Sequence, residues 1–132
     1  MIEPNKHGVY PESAAECIEI HIPKKASCVF HVLQIDGAEW IANSSCYFHF
    51  GDYSGASGPL SRGWCKHLTR TAALDENIGY ALRHFHTRDR WGCATAEQVR
   101  VSIEMNNRIN ALAAVLWGTA DFAPSGTQLA LF

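Results

Sequence analysis

No stretch of this 132-residue chain reaches the roughly 18 consecutive apolar residues that a membrane-spanning helix needs. The opening residues, Met1-Ile2-Glu3-Pro4-Asn5-Lys6, lack the apolar core of a secretory signal. The expectation is a soluble, cytoplasmic protein. There is no C-x-x-C pair, so neither a zinc ribbon nor a thioredoxin-type redox motif is present. The Gly51–Gly58 loop lacks the Gly-Lys-Ser/Thr ending of a phosphate-binding loop, and Ser54 and Ser57 do not fit a G-x-S-x-G nucleophile elbow. Internal repeats and low-complexity tracts are missing. Charge is sparse and balanced: 11 Lys plus Arg against 13 Asp plus Glu give a net of −2. That excludes a uniformly basic nucleic-acid coat.

What remains is the composition of one globular domain, with 47% hydrophobic residues and enough chain to bury a modest core. Residues 17–22 alternate, with Ile18, Ile20 and Ile22 on one face and Cys17, Glu19 and His21 on the other, which predicts a half-buried strand. Residues 28–35 are apolar on both faces and predict a central strand. Asp36-Gly37 follows as a hairpin signal. Residues 39–50 predict a third strand, with Trp40, Ala42, Cys46, Phe48 and Phe50 on one face and Asn43, Ser45, Tyr47 and His49 on the more polar one. The Gly- and Ser-rich residues 51–65 read as a loop. A first helix is predicted over 71–86, capped by Thr69 or Thr71, with Ala73, Leu74, Ile78, Ala81, Leu82 and Phe85 as its apolar stripe. A second is predicted over 96–117. Thr95 with Gln98 forms its capping box, Gly118 stops it, and Val99, Ile103, Met105, Ile109, Leu112, Ala113 and Leu116 form its stripe. The fold class is therefore α+β: a three-stranded antiparallel sheet packed against two C-terminal helices. Residues 1–118 form the domain, and 119–132 a linker and tail.

The five cysteines (17, 28, 46, 65 and 93) are odd in number and widely spaced, which points to reduced thiols. Cys17, Cys28 and Cys46 lie in apolar runs, where cysteine acts as a small hydrophobe. Cys65, His67, His84 and His86 do not have the spacing of a zinc finger, and two histidines two apart on a helix point about 200° apart. His84 and His86 with Asn106 or Asn107 lack the hairpin that a ββα-metal nuclease requires. No metal and no cofactor is expected. Residues 1–60 hold three lysines against seven acids, whereas 61–91 hold Arg62, Lys66, Arg70, Arg83, Arg88 and Arg90 against three acids. Aromatics (Trp64, Tyr80, Phe85, Trp91) interleave the basic segment. Its six cations are candidate nucleic-acid contacts, against the plainer reading of a solvated helix face.

After the predicted second helix, Thr119–Thr127 (TADFAPSGT) reads as a linker. It leads to Gln128-Leu129-Ala130-Leu131-Phe132. This pentapeptide resembles the bacterial sliding-clamp-binding motif, Gln-Leu-(Ser/Asp)-Leu-Phe, at every position except Ala130. The resemblance covers five residues only, and the rest of the chain is matched to no family. A Q-L-x-L-F string arises by chance in roughly 2 of 10⁵ windows at ordinary residue frequencies, so composition alone does not account for it. The resemblance implies that Gln128 enters a polar pocket, that Leu129 packs at the groove edge, and that Leu131 and Phe132 fill a hydrophobic pocket of the clamp. The alternative is that the tail folds back, with Leu129 and Leu131 alternating in an edge strand.

The sequence thus predicts a non-enzymatic accessory protein of bacterial, phage or plasmid type, recruited to the DNA sliding clamp through Gln128, Leu129, Leu131 and Phe132. Its place would be replication, repair or their modulation. DNA contact through the basic segment and homodimerisation through Trp117 and the second helix are further expectations. Two rivals stand beside it. One is a small enzyme acting on DNA or nucleotides, with His49, His67 and His84 around the Gly/Ser loop. The other is an inhibitor that occludes a host or defence protein.

Overall fold

The computed structural model describes residues 3–35, 37, 39–49, 54–56, 58, 60, 66–86 and 95–117. A short 3₁₀ turn (Glu12–Ala14) precedes four strands and two helices: β1 (Glu16–Ile22), β2 (Ala26–Gln34), β3 (Trp40–Phe48), β4 (Ser54–Ala56), α1 (Arg70–His86) and α2 (Ala96–Leu116). The sheet is antiparallel throughout, in the order β1-β2-β3-β4. Both helices pack on one face of it, α1 over β3 and β2, and α2 over β1 and β2. This is the α+β arrangement that the alternating strands and helical stripes imply. The Gly/Ser-rich segment, read as a loop, adds the short edge strand β4. Its pairing, Ser45 with Ala56, Cys46 with Gly55 and Tyr47 with Ser54, is a backbone ladder only three residues long. At a sheet edge such a ladder makes little demand on side-chain propensity.

Two tight connections set the register. Ile22 pairs with Ala26 across Pro23-Lys24-Lys25, and Lys25 N–H donates to the Ile22 carbonyl at 2.9 Å. Proline supplies the first central position of this turn, and Lys24 takes φ +64° at the second. That is the type II pattern, in which the second central residue is ordinarily glycine. Between β2 and β3, Gly37 takes φ +67° and Ile35 N–H donates to the Glu39 carbonyl at 2.8 Å, as the Asp-Gly signal implied. Asp36 itself lies outside the described residues.

The main core lies between sheet and helices. Ile18, Ile20, Cys28, Phe30, Val32, Cys46 and Phe48 meet Leu74, Ile78 and Phe85 of α1 and Met105, Ile109 and Leu112 of α2. A second, smaller core lies on the opposite face. There Leu33, Ile35 and Ile41 are covered by Tyr10 and Leu60, which are tied by Tyr10 N–H donating to the Leu60 carbonyl at 2.8 Å. β2 and β3 are therefore buried on both faces at that end, as the continuous apolar run at 28–35 suggested.

The N-capping predictions hold, while Gly118, expected to stop the second helix, lies outside the described residues. Thr69 Oγ1 accepts from Ala72 N–H at 3.1 Å, and Thr95 and Gln98 exchange both bonds of a capping box at 3.0 and 3.1 Å. One stripe prediction fails. Ile103, assigned to the core face of α2, is 57% exposed, while Gln98, Val101 and Ser102 are buried. The helix is rotated so that 98, 101, 102, 105, 109 and 112 face inward. Polar Gln98 and Ser102 masked that phase in the sequence. Cys17, read as a small hydrophobe, is also exposed, because it occupies the open face of β1. Cys28 and Cys46 are buried, directly opposite one another, with Sγ atoms 3.5 Å apart. The neighbouring Cys46 thiol and burial push the Cys28 thiol well above its ordinary range. Both are inert core groups.

The outer edge of β1 is guarded. Arg108 of α2 donates to the His21 carbonyl at 3.1 Å and pairs with Glu104 at 2.6 Å. Lys25 in the first turn pairs with Glu97 at the start of α2. Among the described residues, no helix is long and apolar enough to cross a membrane.

Two substitutions test this local chemistry. Lys24→Gly relieves the left-handed backbone of a side-chain-bearing residue and is expected to stabilise the protein by up to about 1 kcal/mol. Thr95→Ala removes the cap and is expected to cost about 1 kcal/mol. Urea midpoints at unchanged slope read both.

Candidate functional site

The pentapeptide residues Gln128, Leu129, Leu131 and Phe132 lie outside the described residues, as do Arg62, Arg88 and Arg90 of the basic segment. The three remaining cations differ in setting. Lys66 is exposed beside the bridge that joins His67 to Trp40 by two backbone hydrogen bonds of 2.8 and 2.9 Å. Arg83 is exposed on α1. Arg70, the first residue of α1, reaches back to β1 and donates from Nε to Glu16 Oε1 at 2.7 Å, with a second bond to Oε2. This bidentate pair already uses the guanidinium that a phosphate would need.

The three histidines of the rival enzyme reading hold separate partners. His49 Nε2 lies 3.0 Å from Ser27 Oγ, and His67 Nε2 lies 3.2 Å from Glu76 Oε2. His84 is buried against Phe48 and Phe85, with ring centroids 6.5 and 5.0 Å away. His86, two residues on, is exposed. Among the described residues, no group of three or more His, Cys, Asp or Glu side chains could hold a metal ion.

The structure assembles a cluster that sequence reasoning missed, on the sheet face opposite the helices. Cys17, His31 and Asn43 occupy one cross-strand row, since Cys17 pairs with His31 and His31 with Asn43. Asn43 is only 1% exposed. Its Nδ2 donates to Glu12 Oε2 at 3.1 Å and to the Gly58 carbonyl at 2.9 Å, and its Oδ1 lies 3.1 Å from His31 Nδ1. With Nδ2 committed as donor, Oδ1 can only accept, so the His31 proton sits on Nδ1. Glu12 Oε2 is 3.4 Å from the same nitrogen and adds a carboxylate to the pair. Alternation placed Asn43 on the polar face. It is held there by Glu12 and Gly58, from segments far along the chain, and no periodicity signals that.

Thiol, imidazole and amide in a row are the groups of a cysteine nucleophile, its base and an orienting partner. The electrostatics oppose that use. Partial burial, then the Glu19 and Glu12 carboxylates, raise the Cys17 thiol above its ordinary value. A nucleophilic cysteine needs the reverse, a cationic or dipolar setting that lowers it. Within it, the buried Asn43 with His31, Glu12 and Gly58 is best described as a polar tie that fixes the N-terminal segment to the sheet.

A second feature lies between the helices. They run antiparallel, with Trp117 Nε1 donating to Asp75 Oδ1 at 3.3 Å at one end. At the other end, Phe85, His86, Val99, Ser102, Ile103 and Asn106 line a cleft of about 220 Å³. Ser102 Oγ and Asn106 Oδ1 are buried there without a hydrogen-bond partner. Most of that space is open to solvent, and the enclosed part has room for about one water molecule.

No family model, no curated protein and no solved structure matches this chain. The site is therefore read from its own geometry.

Asn43→Ala removes the partner of the Gly58 carbonyl and of the largely buried His31 ring, while the exposed Glu12 carboxylate turns to water. It is expected to cost about 1–3 kcal/mol, the penalty for buried polar groups left unpaired. Chemical denaturation would show a lowered midpoint. A change below 0.5 kcal/mol would mean that the tie is not structural.

Proposed function

We propose that the protein is a small non-enzymatic accessory factor recruited to the bacterial DNA sliding clamp through Gln128–Phe132. It acts there in replication or repair, or as a phage- or plasmid-type modulator of them. The observation that carries this reading is the pentapeptide itself, Gln128-Leu129-Ala130-Leu131-Phe132, set behind the Pro124-Ser125-Gly126 linker.

Two structural facts support it. Both apolar clusters of the described residues are assembled between Tyr10 and Leu116. The folded body thus has a core of its own, compatible with using the following segment for recruitment. Among the described residues, the raised Cys17 thiol and the separately engaged histidines supply no activated nucleophile or base pair, which favours binding over catalysis. On this reading Leu131 and Phe132 provide the affinity, each worth about 1.5–3 kcal/mol when fully buried. Gln128 provides register through its amide. After the ordering cost of a free segment, a dissociation constant on the order of 1 μM follows, about −8 kcal/mol. Because the clamp is a ring with more than one pocket, a dimeric form of the protein would gain further by avidity.

Calorimetric titration into a bacterial sliding clamp tests this. The full chain is expected to bind with a dissociation constant on the order of 1 μM, and a version ending at Thr127 not at all. Phe132→Ala and Leu131→Ala are each expected to weaken binding about tenfold or more, since 1.4 kcal/mol is a factor of ten. Absence of binding by the full chain overturns the proposal.

A further inference from the structure

Cys28 and Cys46 sit at a register position that favours a bond between them. His49 N–H donates to the Lys25 carbonyl at 2.8 Å, and Ile35 N–H donates to the Glu39 carbonyl at 2.8 Å. These contacts mark Lys25–His49 and Ile35–Glu39 as hydrogen-bonded pairs at the two ends of the β2–β3 ladder. Hydrogen-bonded and non-hydrogen-bonded pairs alternate along an antiparallel ladder. The register between β2 and β3 is unbroken, so Cys28–Cys46 is a non-hydrogen-bonded pair. The Cα atoms of such a pair lie about 4.5 Å apart, at the near end of the roughly 4.4–6.8 Å found in disulfides. The Sγ atoms are already 3.5 Å apart, and a bond of about 2.05 Å needs them to approach by only about 1.5 Å. Shared between two side chains, small rotations about χ1 supply that movement without a shift of either strand.

Access is the second half of the argument. Both residues are 0% exposed, in the core beneath the helices. The Cys46 thiol beside it, together with burial, holds the Cys28 thiol well above its ordinary range. In the closed fold, therefore, neither sulfur meets an oxidant as the reactive thiolate. The bond forms from a chain whose helical layer has lifted or has not yet packed. That layer consists of α1 and α2, the last two elements in chain order. Once closed, the fold shelters a disulfide from reductants as fully as it shelters the thiols from oxidants.

We propose that Cys28 and Cys46 are a reversible disulfide site, a redox latch that ties β2 to β3 when the opened chain meets a small-molecule disulfide. The thiolate of one cysteine attacks that oxidant, forming a mixed disulfide and releasing one small thiol. The second cysteine attacks the mixed disulfide at the protein sulfur, forming the Cys28–Cys46 bond and releasing the other small thiol. Two protons and two electrons pass from the protein thiols to the oxidant. The link closes a loop over residues 28–46, fixes the register of the two strands and lowers the conformational entropy of the unfolded chain. The latch goes beyond clamp recruitment and does not require it.

Refolding the full chain from urea in a buffer of oxidised and reduced glutathione tests this, with the remaining thiols alkylated and the peptides mapped by mass. Cys28–Cys46 is expected as the dominant linkage, marked by the loss of two hydrogens from the joined peptides. The linked protein is expected to unfold at a higher urea midpoint than the reduced protein, a difference that Cys46→Ala abolishes. Already folded protein in the same buffer is expected to form the link severalfold more slowly than the refolding chain, and sub-denaturing urea to speed it. The proposal is overturned if no Cys28–Cys46 link forms on refolding, or if another cysteine pairing dominates. A midpoint that falls on oxidation overturns it too, since the bond would then strain the strands it is meant to tie. Equal rates in folded and refolding chains overturn the gating by the helices. None of these readouts involves the clamp, so failure of recruitment and failure of the latch are separately visible.

Discussion

The burial of β2 and β3 on both faces is the constraint on which the rest of the structure depends. Nine residues of each strand pair in continuous register, from Ala26 opposite Phe48 to Gln34 opposite Trp40. A slip of one residue would exchange the faces of every side chain. Cys28, Phe30 and Val32 would leave the helical layer, and Leu33 would leave the small core under Tyr10. The turn at 23–25, the Ile35–Glu39 hydrogen bond and the covering by Tyr10, Glu12, Gly58 and Leu60 all have one common effect: they hold this register. The Asn43 network belongs to the same set. Its four groups are satisfied together only when β2, β3, the 3₁₀ turn and Gly58 are in place.

Much of this fold could be read from the residues, and the failures have physical causes. The alternation at Cys17–Ile22 was clear because β1 is buried on one face only, so period two survives. The capping box at Thr95 was clear because it is a local exchange of two hydrogen bonds. The phase of α2 was misread because Gln98 and Ser102, both polar, occupy inward positions while apolar Ile103 faces out. Hydrophobicity weights those residues the wrong way. β4 went unseen because three residues of Ser, Gly and Ala carry almost no strand propensity. The candidate sites divide along the same line. The pentapeptide is a contiguous string and stands out in the sequence alone. The Cys17–His31–Asn43 row draws on three strands and a covering segment, and only the register brings it together.

The polar row also shows why residue identity is a poor guide to chemistry. The same thiol, imidazole and amide would suit nucleophilic attack near a helix N-terminus or a cation. Here Glu12 and Glu19 surround the thiol with negative charge, and the imidazole is spent on holding Asn43. The structural account is sufficient: a buried amide with four hydrogen-bonding valences costs least when all of them are met, and the cluster comes close to meeting them.

The order of the elements has a consequence for how the protein is made. β1 emerges first, yet the helix that shields its isoleucines is the last element of the fold. Between Ile18 and Met105 lie 86 further residues, which take a ribosome roughly 4–17 s to add at ordinary elongation rates. For that interval the nascent chain carries an unshielded strand face. The acidic residues Glu16 and Glu19 punctuate that strand and discourage it from joining neighbouring chains. Glu16 later receives Arg70, and the outer edge of β1 receives Arg108 at the His21 carbonyl. Glu16 would then serve twice in one lifetime, first as a keeper of a lone strand and afterwards as an anchor for α1.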